Sequence, residues 1–492
     1  MQLNEEQIRI IFGLKLRQIR GQRDLSLLGL AKITGLSKSY LNEIEKGKKY
    51  PKPDKIVLLS KALEVPYDEM VSMKLSGTMA PLSEIILSGV LKDIPLSLFG
   101  IDENDLIDII ANAPEKVTAF ISTLFEIARH YKVSRENFYL AALRSYQESH
   151  DNYFEDLEAS VQQFTKRYGI DLNRKLSSSE LEEVLREEFG YEIDYQRLQS
   201  TPFPEEIRSV FLPVEKKLLI APKVSETQRV FILAKELGYA HLGIVERPLT
   251  FTWIKFNTFE DVLNNFKASY FAGALLLPEG RLVADLKVFF KRDGWSGAAF
   301  LSLMEAYTES AETFFQRLTN LLPRHFGFKD LFFQRFEYNA QPFSLKLNKE
   351  LHLSGPRGPQ ASGTNESYCR RWLPVDLLVS AQRQKGQLAV EPAVQYAHFE
   401  HSDEVFLVLA ARSADPFNEN RMRSVSLGLG GGAALKRKIA FAGSGDIVHK
   451  KVGLSCESCP ISDCELRVNE AVKLEAKKRN AEIERLLESL SK

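Results

Sequence analysis

The feature that most constrains the fold of this chain is the spacing of apolar residues between Leu30 and Leu63, in the stretch LAKITGLSKSYLNEIEKGKKYPKPDKIVLLSKAL. Apolar residues recur every three or four positions on either side of Gly35, which predicts two short helices joined by a tight turn. Ser37 stands where its hydroxyl can cap the second helix. Two short helices around a glycine turn, inside a bundle of about five helices, form a helix-turn-helix. We therefore predict such a domain over residues 1–70.

The second helix of this pair, residues 37–45, would lie in the DNA major groove with its first residues against the base edges. Asparagine can make two hydrogen bonds to adenine, and serine or lysine can read several bases. Flanking basic residues, Arg20 and Arg23 among them, would neutralise phosphates without reading sequence. The predicted DNA-binding residues are Ser37, Lys38, Ser39, Tyr40, Asn42, Lys46, Lys48, Lys49 and Arg17.

This stretch resembles the helix-turn-helix of the phage-repressor (XRE-like) family nearly throughout. The resemblance implies a sequence-specific DNA-binding protein that recognises a double-stranded operator as a homodimer, with half-sites about 34 Å apart. The formal net charge of the whole chain is zero, so total charge argues neither for nor against a nucleic-acid partner. The local run of basic residues within the motif carries that expectation.

Length and composition predict a multidomain soluble protein. The chain has 492 residues, which at roughly 150 residues per domain predicts about three domains. Residues 71–165 alternate apolar and charged residues at helical spacing, which predicts a helical connector that could also dimerise the chain. The sequence shows no signal-peptide core, and no apolar run approaches the roughly 20 residues of a membrane span. We therefore expect a cytoplasmic protein with no membrane partner.

The stretch FILAKELGYAHLG, residues 231–243, has the pattern of a zinc-peptidase helix without its histidines. In H-E-x-x-H, two histidines four residues apart bind zinc from one helix face, and the glutamate is the general base. Here Lys235 and Tyr239 occupy the histidine positions, and Glu236 remains. A lysine ammonium only donates hydrogen bonds and would repel Zn²⁺. We expect Glu236 to pair with Lys235 or Lys267, and His241 to be structural.

Residues 166–340 resemble the ImmA/IrrE-like metallopeptidase domain. In that family, the third zinc ligand is implied to be an acidic residue on a helix that ends in a FAAxLLMP-like run. The run FAGALLLP here puts Lys267 at that position, so all three ligand positions depart from the family pattern. We predict a pseudo-peptidase without catalytic residues, whose fold serves as a small-ligand pocket. The predicted degenerate zinc site comprises Lys235, Glu236, Tyr239 and Lys267. A peptidase that cleaves a regulatory protein is the alternative.

The cysteines predict a second kind of site. Cys456, Cys459 and Cys464 form a tight cluster, and Cys369 is the remaining cysteine that could complete it. In a reducing cytosol such a cluster is typical of a metal or redox site rather than of disulfides. Four thiolates suit structural zinc or a [4Fe–4S] cluster, and the spacing does not separate the two.

The combination of these parts resembles the short-chain fatty acyl transcriptional regulators, a family that includes mycobacterial-type propionate regulators. The matching pieces are the helix-turn-helix, the peptidase-like core, and the blocks QRLTNLLPRHFG, LFFQRF, CRRW and CESCPISDCELR. The resemblance implies a mainly α multidomain fold with an α+β body, ending in an α+β cysteine-cluster domain over residues 341–492. It also implies sensing of a short-chain acyl-CoA and a [4Fe–4S] cluster. A redox sensor acting through the cysteines is the second interpretation.

Overall fold

The structure is a computed structural model with two compact units, Met1–Ala142 and Leu143–Lys492. The described residues are 5–75, 135–198, 207–248, 258–340, 343–353, 367–381, 391–400, 402, 404–415 and 418–490. Most of the predicted connector, residues 76–134, lies outside the described residues. No helix within the described ranges combines the length and the apolar character that a membrane span requires.

Residues 5–75 form the predicted bundle of five helices. The helices are α1 (Glu5–Gln22), α2 (Leu27–Thr34), α3 (Lys38–Glu45), α4 (Pro53–Leu63) and α5 (Tyr67–Val71). The hydroxyl of Ser37 accepts a hydrogen bond from the Tyr40 amide and caps α3, as the sequence predicts. Gly35 ends α2 with φ of 69°, a left-handed conformation that glycine adopts without strain. Leu41 and Ile44 are buried in the apolar core, so one face of α3 packs against the other helices.

The second unit begins with helices around a small sheet. The elements are α6 (Arg135–Ser149), α7 (Glu155–Tyr168), α8 (Ser178–Glu187), β1 (Glu192–Asp194), β2 (Ser209–Leu212), β3 (Lys217–Ile220), α9 (Glu226–His241) and α10 (Phe259–Leu276). β2 and β3 form an antiparallel hairpin, and β1 pairs with β3 in parallel. Ser177 and Ser225 close capping boxes at the starts of α8 and α9.

The rest of the second unit is built around a larger sheet. Its elements are α11 (Glu279–Phe290), α12 (Gly297–Glu305), α13 (Ala311–Phe326), β4 (Leu331–Ala340), β5 (Phe343–His352), α14 (Leu373–Ala381), β6 (Glu391–Phe399), β7 (Val405–Asp415), β8 (Asn418–Gly430), α15 (Ala433–Lys438), β9 (His449–Val452) and α16 (Val472–Leu490). The six strands lie in the order β5-β4-β8-β7-β6-β9. Only the β6–β9 pair within this sheet is parallel. One face packs on α11–α13, and the other packs on α14.

The larger sheet crosses the boundary expected between residues 340 and 341. β4 and β5 lie on either side of that boundary and pair along nearly their whole length, from Phe332 opposite His352 to Ala340 opposite Phe343. β4 also pairs with β8, about ninety residues further along the chain. Pairing between strands that are far apart in sequence leaves no local pattern, so the sequence alone does not show that β4 pairs with β5 and β8.

The glycine-rich end of β8 is explained by close packing. A Cβ atom at Gly428 would lie 2.1 Å from the Phe332 ring, and one at Gly430 would lie 2.2 Å from the Asp330 carboxylate. Any side chain at these positions would displace those neighbours. The run LGLGGG therefore lets β8 approach β4 and the residues that precede it.

A buried ion pair joins the two halves of the second unit. Arg317 on α13 is 1% exposed and makes two hydrogen bonds to Glu158 on α7, at 2.5 and 3.0 Å. Its Nε donates to the Leu277 carbonyl at the end of α10, and the Tyr270 hydroxyl donates to Glu158 at 2.8 Å. The pair thereby connects the helices of the small-sheet half with the helix that supports the larger sheet.

Replacing Arg317 by methionine should lower the free energy of unfolding of the second unit by about 3–5 kcal/mol, because Glu158 would keep a buried charge without its cation. The double change Arg317→Met with Glu158→Leu should recover most of this loss. Urea unfolding followed by tryptophan fluorescence measures it, since Trp253, Trp295 and Trp372 are the only tryptophans and all belong to this unit. A double variant no more stable than the single one would contradict this account.

Candidate functional site

The predicted DNA-reading residues lie on the free side of α3. Ser37, Lys38, Ser39 and Asn42 are exposed, and Tyr40 is half-buried. The opposite side of the helix is held in the core of the first unit. The first turn of α3 is therefore accessible to base edges in the manner that a helix-turn-helix requires. Direct contact of these residues with DNA stays a prediction.

The basic residues around α3 differ in their exposure and in the side chains that they bind. Lys48 and Lys49 are exposed, and Lys49 forms an ion pair with Glu43 at 2.8 Å. Arg20, which we expected to contact phosphate, instead binds the buried Glu45 carboxylate through two nitrogens, at 2.6 and 3.0 Å. That expectation is wrong because the carboxylate that ends α3 takes up the guanidinium. Arg20 fixes α3 against α1 rather than reaching towards DNA.

The degenerate zinc centre is held together by an arginine that sequence reasoning missed. Arg247, in the segment after α9, binds the Glu236 carboxylate at 2.5 Å and is 5% exposed. Its guanidinium lies 3.5 Å from the Phe211 ring centroid and 4.5 Å from that of Tyr239. The expected pairing of Glu236 with Lys235 or Lys267 is therefore replaced by a pairing with Arg247. No spacing rule connects α9 to an arginine in the following loop, so this pairing cannot be predicted from local sequence patterns.

Lys235 lies at the centre of the same site. Its ammonium donates to the Asn265 side-chain oxygen at 2.6 Å, and the Tyr239 hydroxyl donates to the same oxygen at 3.3 Å. Burial lowers the pKa of Lys235 to about 7, and Glu236 opposes this shift while Lys349 and Arg247 add to it. Burial also raises the pKa of Glu236, and Arg247 opposes that shift. The former metal position thus holds a hydrogen-bonded network of buried protein groups.

Two other residues singled out in the sequence lie to the side of this network. Lys267 is half-buried on α10. His241 packs between the rings of Phe164 and Phe271, with centroids at 5.1 and 5.7 Å, and burial lowers its pKa. These contacts agree with a structural role for the histidine.

The four cysteines line one pocket that opens in part to solvent. The residues around it are Cys369, Arg370, Arg371, Ser455, Cys456, Cys459, Ile461, Cys464, Leu466 and Arg467. Two segments far apart in sequence meet here, joined by the pairing of Tyr368 with Ser455. Burial raises the pKa of the Cys369 thiol, and the Gly453 amide, which donates to it, opposes that shift. The fold therefore brings Cys369 to the cluster that the sequence assigned to it.

Arg467 organises the loop that carries the other three cysteines. Its guanidinium donates to the carbonyls of Cys456 at 2.7 Å, Cys459 at 3.1 Å and Ile461 at 2.5 Å. Asn469 donates to the Glu457 carboxylate at 2.8 Å, which in turn accepts from the Ser367 amide. One arginine thus satisfies three loop carbonyls and fixes where the thiols point.

Replacing Lys235 by methionine should change how the stability of the second unit depends on pH. The pKa of Lys235 is about 7 in the folded chain and ordinarily 10.5, so between these values unfolding takes up a proton. The wild type should therefore gain stability relative to Lys235→Met as pH rises from about 7 towards 10, and the buried charge should cost most below about pH 7. Urea unfolding at about pH 6 and about pH 9, followed by tryptophan fluorescence, measures the difference.

The matched control for this prediction is Lys223→Met, at an exposed lysine of the same unit. This variant should differ from the wild type by the same amount at both pH values. A Lys235→Met difference that is equally constant with pH would show that the buried lysine does not change its protonation on folding.

Family models match two parts of the chain. A model described as helix-turn-helix matches residues 16–70, which run from the end of α1 through α5. A second, described as an IrrE N-terminal-like domain, matches residues 183–319 and includes the degenerate zinc centre.

Comparison with individual proteins gives weaker likenesses. The HTH-type transcriptional regulator RamB from two strains of Mycobacterium tuberculosis is 24% identical over 335 residues, covering 63% of this chain. The chain spans 65% of the length of these curated relatives. A solved Mycobacterium tuberculosis transcriptional regulator is 18% identical with a TM-score of 0.47, over 66% of this chain and 92% of that one. The restriction-modification controller protein C.AhdI from Aeromonas hydrophila is 33% identical with a TM-score of 0.12, over 12% of this chain and 92% of that one.

The two family matches lie in the order that the sequence motifs predict. The chain therefore carries an XRE-like helix-turn-helix domain followed by an IrrE N-terminal-like domain, which confirms the combination implied by its resemblance to the short-chain fatty acyl regulators.

Proposed function

We propose that this chain is a transcriptional regulator that binds double-stranded DNA in a sequence-specific manner. The observation that carries the proposal is the exposed polar first turn of α3, within a domain that matches the helix-turn-helix model. The name of RamB, a transcriptional regulator similar over 63% of this chain, supports it. A homodimer on a near-palindromic operator follows from the two-fold symmetry with which such domains usually bind.

The second unit acts as a sensor rather than as a peptidase in this proposal. Glu236 is the one residue of the peptidase motif that remains, and Arg247 occupies its carboxylate. A carboxylate in a buried ion pair is not free to take a proton from water, so it is unsuited to act as a general base. The same network fills the former metal position, so an effector would bind elsewhere in the unit.

The effector in this proposal is a short-chain acyl metabolite such as an acyl-CoA, as the family resemblance implies. Its binding would change DNA affinity only if it favours one of two states of the regulator over the other. An acyl-CoA combines a short apolar acyl group with a phosphate-bearing carrier, so its site needs both apolar and cationic groups.

The cysteine pocket would hold a [4Fe–4S] cluster in the same proposal. The donor set fits, since the four thiols of Cys369, Cys456, Cys459 and Cys464 face one space. The same four thiols also suit a single structural zinc ion, and the metal content of the protein separates the two.

The surroundings of the pocket support an anionic occupant. Arg370, Arg371 and Arg467 line it, and their positive charges favour a cluster held by four thiolates. When bound, such a cluster supplies one-electron redox chemistry or sensitivity to oxygen. Redox sensing through the cysteines is therefore a second candidate function.

Replacing Asn42 by alanine should weaken binding to a preferred DNA site by about 1–3 kcal/mol, because the amide would lose its hydrogen bonds to a base. The site is first selected from random duplexes with the wild-type chain, and affinity is measured by fluorescence anisotropy. Lys48→Ala should weaken binding to all sequences because this exposed lysine flanks α3 and is predicted to contact phosphate, and Lys61→Ala, at an exposed lysine on α4, is the matched control. A selection that yields no preferred sequence would contradict the proposal.

Protein purified without oxygen should contain about four iron and four sulfide per chain, with visible absorption. Arg467→Gln should lower that content because the loop carbonyls lose their shared donor. Arg485→Gln, on the exposed face of α16, is the matched control and should leave the content unchanged. About one zinc per chain without colour would instead make the cysteines a structural site.

A further inference from the structure

One face of the larger sheet changes from apolar to charged along its length. On β4, Leu331 and Phe333 pack into the core against α11–α13, and Arg335 and Glu337 follow on the same face. Charged residues of neighbouring elements gather around them, and we call this group the arginine cluster. Its members are Arg208, Arg335, Lys349, Arg421 and Arg423, with the carboxylates Glu312, Glu337 and Asp415.

Strand register brings these charges together. Arg335 stands directly opposite Lys349 on β5, and Glu337 stands opposite Arg423 on β8. Residues opposite one another on paired strands share a face and have adjacent side chains. The first pair has like charges, which repel unless an anion lies between them. Glu312 partly meets this need, since it accepts from Arg335 at 2.9 Å and lies 3.7 Å from the Lys349 ammonium.

The cluster contains more positive charge than its own carboxylates neutralise. Arg423 pairs with Asp415 at 2.5 Å, and Glu337 lies 3.5 Å from Arg421 and 3.7 Å from Arg423. With five cations and three carboxylates, the cluster keeps an excess of two positive charges. Each carboxylate already has a cationic partner, so the two positive charges that remain are shared by the cluster as a whole.

Several guanidinium nitrogens in the cluster lack an acceptor. The Nε atoms of Arg335, Arg421 and Arg423 are shielded from solvent and make no hydrogen bond among the described residues, and those of Arg421 and Arg423 lie only at ion-pair distance, 3.5 and 3.7 Å, from the Glu337 carboxylate. A shielded donor left unpaired costs free energy that a suitable acceptor would recover. The three side chains are 19–25% exposed and Lys349 is 48% exposed, so a ligand from solvent can reach them.

The pKa shifts in the cluster show that its charges interact closely. Burial alone would raise the pKa of Glu312, yet Arg335, Lys349 and Arg423 lower it to about 2. Burial lowers the pKa of Arg208, and its neighbour Arg423 lowers it further. Glu312 in turn raises the pKa of Arg335, so the shifts reflect close pairing of charges within the cluster.

We propose that the arginine cluster is a binding site for a phosphate-bearing small molecule that carries at least two negative charges. Guanidinium groups bind phosphate oxygens through two parallel hydrogen bonds, so several arginines around one space can share the oxygens of a diphosphate. A lone carboxylate carries one charge and would leave part of the surplus unmet. In so far as this ligand is the effector, the inference rests on the proposed function and locates the phosphate end of an acyl-CoA.

The test compares ligand binding by the full chain and by a double variant. Lys349→Gln with Arg421→Gln removes two cations whose ion pairs are long, 3.7 and 3.5 Å, and cancels the surplus charge. The matched control, Lys287→Gln with Arg292→Gln, removes the same charge from exposed positions in and after α11. The probes are inorganic phosphate, pyrophosphate, propionyl-CoA and propionate, titrated calorimetrically at fixed ionic strength.

We expect pyrophosphate to bind the wild type and the control alike, and the double variant at least about tenfold more weakly. Inorganic phosphate should bind more weakly than pyrophosphate, and propionate should not bind. Absence of pyrophosphate binding to the wild type, or equal binding to the double variant, would overturn the inference. So would a double variant that has lost affinity only for duplex DNA, because the cluster would then be a nucleic-acid contact.

The outcomes separate this inference from the proposed function. Propionyl-CoA binding that the double variant retains in full, without pyrophosphate binding, would support an acyl-CoA effector and remove the cluster as its phosphate site. Pyrophosphate binding that depends on the cluster, without any affinity for propionyl-CoA, would keep the site and remove the acyl-CoA. Circular dichroism and the thermal midpoint of the double variant establish that it is folded.

Discussion

The buried pair between Glu158 and Arg317 is the interaction on which the second unit depends. It joins α7 to α13, and through the Leu277 carbonyl and the Tyr270 hydroxyl it also fixes α10. α10 carries Asn265, which binds Lys235 of the degenerate centre, while α13 lies against the larger sheet. This buried ion pair therefore helps to fix the position of the peptidase-like helices relative to the larger sheet. Such a pair adds little to the net free energy of folding. It favours one packing of these helices, because any other packing would leave a buried charge unpaired.

The degenerate zinc centre shows how a metal site can be filled from within the chain. Arg247 supplies positive charge to Glu236 and packs against the rings of Phe211 and Tyr239. A guanidinium is large, planar and always charged, so it fills a cavity and neutralises a carboxylate at once. Lys235 adds a second buried cation bonded to Asn265. Paired side chains of the chain itself therefore occupy the position where the peptidase pattern would place a metal.

The cysteine pocket and the arginine cluster are both formed by segments that are far apart in sequence. Cys369 reaches the pocket because the pairing of Tyr368 with Ser455 joins two segments that are far apart in sequence. The arginine cluster forms because β5, β4 and β8 lie side by side, with Arg208 close to Arg423. The pocket thus brings four thiols together, and the cluster brings together lysine and arginine side chains in excess over carboxylates. We propose that these sites let the second unit respond to two different signals.

Local patterns in the sequence determined the elements of this protein and the identity of its motifs. The spacing around Gly35 predicts α2 and α3, Ser37 predicts the cap of α3, and FILAKELGYAHLG indicates a peptidase-type helix without its two histidines. These features depend on contacts within a few residues, which sequence spacing records directly. The tertiary structure decided what each charged side chain binds. Arg20 pairs with Glu45, Glu236 pairs with Arg247, and β4 joins a sheet that continues beyond residue 340, because folding brings together groups that no local pattern links.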